Sequence, residues 1–240
     1  MASKFFGEFM GTMILILMGN GCVANMLLKR SKAEGTGWLA ITTGWAFAVM
    51  TGVFTAIACG SPDAHLNPAV TLGVAAKTGD FSNVGPYVVA QMLGAMAGAV
   101  LVWVNFLPHW GVTPDPDTKF ACFGTSPAID SRGSNLTTEA IGAFVLILVA
   151  SAIGSKAVGT VGAGLGPYLV GMVVWAIGLS LGGTTGYAIN PARDLGPRIM
   201  HALLPIAKKG PTNWSYAPVP VIGPLVGAAL AGLLVRAVGF

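Results

Sequence analysis

Six apolar runs, at about residues 5–28, 38–59, 84–107, 136–154, 165–183 and 217–238, constrain this chain more than any other feature. A helix needs roughly 20 apolar residues to cross a hydrocarbon core, and each run is close to that length or beyond it. Strand spans would appear instead as ~10-residue segments of alternating hydrophobicity, so an all-α membrane fold is expected. Only 9% of the residues are charged, whereas a soluble domain carries about 25%. The first run follows Lys4 at once, contains Glu8 and outlasts the apolar region of a signal peptide, which marks it as a retained span.

Two stretches break the apolar pattern in the same way. Ala64 to Gly73 reads AHLNPAVTLG and Gly186 to Arg198 reads GYAINPARDLGPR. Aligned on Asn-Pro they share N-P-A-x-x-L-G, with Val70 and Thr71 replaced by Arg193 and Asp194. Upstream, Glu8 opens EFMGT and Glu139 opens EAIGA, each at the head of an apolar run. The chain therefore reads as two copies, about 1–107 and 136–240, joined by a polar segment at about 108–135. Three spans per copy make the second copy enter the bilayer from the opposite face, giving an inverted repeat of six transmembrane helices plus two re-entrant half-helices.

The re-entrant assignment follows from length. Pro68 to Lys77 is ten residues, about 15 Å of helix and half a bilayer. Asparagine is a strong N-cap and proline suits the first helical position, so Asn67-Pro68-Ala69 and Asn190-Pro191-Ala192 each start a helix. One such start would suit an ordinary loop helix. Two at matching places in an inverted repeat put both N-termini near the midplane, where their dipoles disfavour cations. Asparagine amides can donate hydrogen bonds to a neutral hydroxyl passing there, and the combination points to a pore for uncharged solutes.

Arg193 lies in the first turn of the second half-helix, and a charge inside the membrane marks a functional site by default. Asp194 beside it suits a helix N-terminus. Glu8 and Glu139, as symmetry mates away from the pore, are expected to accept hydrogen bonds from the re-entrant backbone rather than to couple protons. Gly94, Gly98, Gly227 and Gly232 suit close helix packing. Cys22, Cys59 and Cys122 have neither metal nor disulfide spacing, and the first two are expected in the core. Asn135-Leu136-Thr137 fits a glycosylation acceptor but abuts a span and reads as a helix start. No metal, cofactor or nucleic-acid partner is expected, and no nucleophile–base pair suggests an enzyme.

On HLNPAVT and INPAR, the paired Glu8 and Glu139, Gln91, and GPLVGAALAG from Gly223, the chain resembles the aquaporin and glycerol-facilitator family over nearly its whole length. The resemblance implies a passive channel in the lipid bilayer of the plasma or inner membrane, assembled as a homotetramer with a pore in each protomer. It places the narrowest ring, the selectivity filter, at Trp45, Gly178, Tyr187 and Arg193. Phe47 is the alternative to Trp45, because Gly60 to Asp63 looks about two residues longer than the family's usual approach to His65. His65 is expected to line or brace the inner vestibule.

Asp194 with Arg198 four positions later, Gly178, Tyr187 and Pro220 all resemble the glycerol-conducting branch; water-selective relatives usually carry His at the first ring position and a small residue at the second. Glycerol and water are the implied permeants, with urea and small polyols as further candidates. A water-selective channel and a secondary transporter are the competing readings. The resemblance implies cytoplasmic termini. The positive-inside rule opposes this, since Lys4, Lys77, Lys156 and Arg236 fall on the terminal side and the other nine Lys and Arg opposite.

Overall fold

The computed structural model describes residues 2–162 and 164–240 and contains helices but no strand among them. The order is α1 Lys4–Leu27, α2 Trp38–Ala58, α3 Pro68–Thr78, α4 Val84–Asn105, α5 Leu107–Val112, α6 Pro116–Ala121, α7 Arg132–Ile153, α8 Leu165–Ser180, α9 Pro191–Leu203 and α10 Pro218–Val238. Helices α1, α2, α4, α7 and α10 are long and apolar enough to cross a membrane, and α8 is a shorter apolar helix.

Two boundaries differ from the expected ones by three residues or more. Helix α8 stops at Ser180 rather than 183, because Gly182 and Gly183 begin a turn in which Gly186 N–H bonds back to Gly182 O. Helix α7 starts at Arg132 rather than 136, after Ser131. This takes Asn135 into a helical first turn, where it is buried and its Nδ2 donates to Ile129 O at 3.0 Å. The connector at 108–135 is not featureless: Asp115 accepts from the backbone of Asp117 and Thr118 and, with Pro116, starts α6.

The two halves interlock. Helix α1 packs on α2 and α4, and α7 packs on α10, while α2 meets α8 across the middle. The half-helices cross over: α3 from the first half packs on α10, and α9 from the second packs on α4. Small residues make these approaches possible. A methyl group at Gly94 would collide with Phe9 O, at Gly98 with Met13 O, at Gly227 with Ala140 O and at Gly232 with Gly73 O.

Large apolar side chains such as Phe54, Leu93, Leu179 and Leu230 point outward instead. That arrangement suits a lipid solvent, in which apolar surface costs nothing to expose. Cys22 and Cys59 are only partly buried, against expectation, and Cys122 is the buried one. Cys59 sits at the C-cap of α2, where the chain leaves the helix for the surface.

Candidate pore and its constriction

Each Asn-Pro pair folds as its residue types dictate. Asn67 Oδ1 accepts from Ala69 N–H at 2.8 Å, and Asn190 Oδ1 accepts from Ala192 and Arg193 N–H at 3.0 and 3.2 Å. Each Nδ2 then reaches across the molecule: Asn67 donates to Ile189 O and Asn190 to Leu66 O, both at 2.9 Å. Oδ1 serves the helix and one amide hydrogen serves the opposite loop. An amide carries two hydrogens, so each asparagine retains one for a solute.

The loops ahead of the asparagines are strained in matching places. Ala64 and Leu66 have φ of 43° and 53°, and Tyr187 and Ile189 have φ of 36° and 42°, all in the left-handed region that non-glycine residues avoid. Such residues cost about 1–3 kcal/mol each and persist only where their surroundings hold them. The two buried glutamates do the holding. Glu8 accepts from Ser61 Oγ, His65 N, Leu66 N and Gln91 Nε2, all within 2.7–2.8 Å. Glu139 accepts from Thr185 Oγ1, Ala188 N and Ile189 N within 2.7–2.9 Å. Ser61 and Thr185 escaped sequence reading, because a hydroxyl in a loop carries no pattern.

Between the half-helices lies a cavity of about 550 Å³, walled mostly by Leu15, Val49, Val53, Val70, Leu146 and Val174. It takes in Asn67 and Asn190 and extends from Asp63 and Lys77 to Trp45, Tyr187 and Arg193. The Asp63–Lys77 end also carries the start of α1, since Lys4 Nζ pairs with Asp63 Oδ2 at 2.9 Å, and the end of α10, whose Arg236 lies beside Gly79. A hydrogen bond from Tyr87 Oη at 2.6 Å, reinforced by Lys4, holds the Asp63 carboxyl below the usual carboxylate range. His65 lines the cavity, with Nδ1 3.2 Å from Thr71 Oγ1 and its ring edge-on to Tyr87. Pro68, Ala69, Pro191 and Ala192 lie outside the wall, in the first turns of their helices.

At the far end the Arg193 guanidinium lies over the Trp45 ring, 4.0 Å from its centroid. Arg193 is buried and its Nη1 has no hydrogen-bond partner. Trp45 fits a notch on α1, where any side chain at Gly19 would collide with the indole. Phe47, the other expected candidate, is half exposed on the outer surface and does not line the cavity. Gly178 contributes no wall either, because the Tyr187 ring occupies the space it leaves.

Asp194 stands behind this ring. It accepts from Thr125 N and Oγ1 at 2.7 Å each, and its Oδ1 pairs with Arg198 Nε at 2.7 Å, with both side chains fully buried. Arg198 goes on to donate to Thr125 O, Thr212 O and Asn213 O. The pair thus ties the connector and the segment before α10 to the second half-helix. Among the described residues no cluster of His, Cys, Asp or Glu could hold a metal.

The model of the family described as "Major intrinsic protein" matches residues 1–235. The glycerol uptake facilitator protein of Streptococcus pneumoniae is 52% identical over 235 residues, 98% of either chain. A probable glycerol uptake facilitator protein of Thermotoga maritima is 51% identical over 97% of either chain. Among solved structures, the aquaglyceroporin from Plasmodium falciparum superposes with a TM-score of 0.86 at 28% identity, covering 98% of this chain and 95% of that one.

Proposed function

The chain belongs to the major intrinsic protein family, and from that membership we propose that it is a passive membrane channel of the aquaglyceroporin branch, conducting glycerol and water and excluding ions and protons. It is an integral membrane protein and not an enzyme. The observation that carries the mechanism is the cross-tie of Asn67 and Asn190, which brings two helix N-termini and two spare amide hydrogens to one cavity wall.

A glycerol molecule entering that cavity meets apolar wall along most of its path, so its carbons lose little by leaving water. Its hydroxyls regain partners at the asparagine amides and at Arg193, whose Nη1 is unengaged by protein. The Trp45 and Tyr187 rings offer apolar faces to the carbon chain while Arg193 takes the hydroxyls. A cation meets two positive helix ends and a guanidinium without a compensating carboxylate nearby, because Asp194 is engaged by Thr125 and Arg198 and Glu139 by its loop. Urea belongs with the permeants on the same grounds, being small, neutral and rich in hydrogen-bonding groups.

The family resemblance supports a homotetramer with cytoplasmic termini in the plasma membrane, and the large apolar side chains on the outer helix faces, such as Phe54, Leu93 and Leu230, leave a surface that lipid or a neighbouring protomer can cover. The asymmetry of Lys and Arg runs against that orientation, so labelling of single cysteines placed at each terminus in intact cells decides it. For the channel itself, proteoliposomes carrying an imposed proton or sodium gradient should equilibrate glycerol and never concentrate it. Accumulation of glycerol above its external level would overturn the reading.

A further inference from the structure

The Tyr187 ring backs into a slot cut by two glycines. A methyl group at Gly178 would lie 2.8 Å from Tyr187 Cζ and 2.9 Å from its Oη; one at Gly182 would lie 2.5 Å from Tyr187 Cδ1, 2.6 Å from Gly178 O and 2.9 Å from Trp38 Cζ2. Trp38, the first residue of α2, closes the slot at its rim. Its indole meets the Tyr187 ring edge-on, with centroids 5.8 Å apart and planes at 77°. Its Nε1 donates to Gly178 O at 3.1 Å, locking α2 to α8 at the same point.

The Tyr187 hydroxyl has no hydrogen-bond partner, so nothing polar fixes the ring. Its position is set by shape alone, between α8 behind and Trp38 at the rim. Neither Trp38 nor Gly182 lines the cavity.

We infer that Trp38 and Gly182 are positioning residues that set the bore of the constriction by fixing how far Tyr187 retreats into its slot. The inference rests on Tyr187 forming the constriction with Trp45 and Arg193. With the indole gone, the Tyr187 ring gains room at the rim and moves off the axis, which widens the passage. With a methyl at Gly182, the ring is pushed out of the slot toward Trp45 and Arg193, which narrows it. The two changes act on one ring from two sides and have opposite signs.

The test is the ratio of glycerol to water permeability in proteoliposomes, which does not depend on how much protein inserts. Trp38→Ala should raise the ratio at least ~3-fold, the scale of losing one edge-on aromatic contact, and should admit a four-carbon polyol. Trp38→Phe, which keeps a ring and loses the N–H, should raise it less. Gly182→Ala should lower it by a similar factor.

A protein that only needed these residues for folding would lose both permeabilities together. Unchanged ratios in water-conducting Trp38→Ala and Gly182→Ala proteins overturn the inference; if Trp38→Ala does not insert, Trp38→Phe and Gly182→Ala decide by the same criterion. Tyr187→Ala is measured in parallel. If it shifts the ratio while the others do not, only the positioning role falls. If it too is silent, the constriction is elsewhere and the underlying reading falls with it.

Discussion

Asn67 and Asn190 each hydrogen-bond the carbonyl that precedes the other, Asn67 Nδ2 to Ile189 O and Asn190 Nδ2 to Leu66 O, at the same 2.9 Å. This reciprocal tie joins the two halves of the chain where both half-helices begin. It makes each asparagine responsible for a cap, a cross-link and a donor at once.

Replacing either asparagine with alanine should therefore cost stability as well as transport. The lost cap is worth about 1 kcal/mol and the orphaned buried carbonyl about 1–3 kcal/mol, so a loss of at least ~2 kcal/mol is expected. Thermal unfolding in detergent should show Asn67→Ala and Asn190→Ala unfolding earlier than Phe47→Ala, whose side chain faces outward. Equal midpoints for all three would contradict the tie.

Glu8→Gln and Glu139→Gln separate a structural role from proton coupling. Glu8 accepts four hydrogen bonds and Glu139 three. An amide nitrogen at either place would oppose donors, leaving buried N–H or O–H groups unpaired at about 1–3 kcal/mol each. Both variants should yield less folded protein, Glu8→Gln the less of the two, and the fraction that folds should conduct glycerol as before. A well-folded Glu8→Gln protein with altered pH dependence of flux would contradict this.

The buried Asp194–Arg198 pair predicts non-additive losses. Removing one partner leaves an unpaired buried charge, costing about 3–5 kcal/mol, whereas removing both relieves that charge. Because Arg198 also donates to Thr125 O, Thr212 O and Asn213 O, the double variant Asp194→Ala with Arg198→Met should be destabilised too, but by less than the sum of the two single losses, as read from unfolding midpoints. Additive losses would show that the pair is not coupled.

The ring gives a paired expectation of its own. Gly178→His alone must displace Tyr187, since even its Cβ falls 2.8 Å from Tyr187 Cζ. Combined with Tyr187→Thr it has room, and the imidazole then narrows and polarises the passage. The double variant should fold better than the single one and should lose glycerol permeability far more than water permeability. An unchanged glycerol-to-water ratio in the folded double variant would place the constriction elsewhere.

Much of this architecture was legible in the sequence because it rests on local chemistry. Asn-Pro states a helix start wherever it occurs, and apolar run length states a span. Glu8 and Glu139 stood out because carboxylates are rare in such runs. The contacts that escaped depend on residues far apart in the chain: Thr125 under Asp194, Thr212 and Asn213 under Arg198, and Trp38 against Tyr187. Gly178 was legible as a missing side chain, but only the fold shows that Tyr187 takes the space, and Gly19 likewise gives no sign of housing Trp45. The shortened α8 and early α7 were missed because hydropathy sees the apolar run and not the Gly182-Gly183 turn or the Ser131 start.

The central claim is that this cavity passes glycerol, and stopped-flow light scattering on proteoliposomes tests it most directly. After an inward glycerol gradient is imposed, vesicles containing the protein should shrink quickly as water leaves and then reswell quickly as glycerol enters, both faster than protein-free vesicles. Fast shrinkage followed by reswelling no faster than in protein-free vesicles would show a water-selective pore and contradict the account.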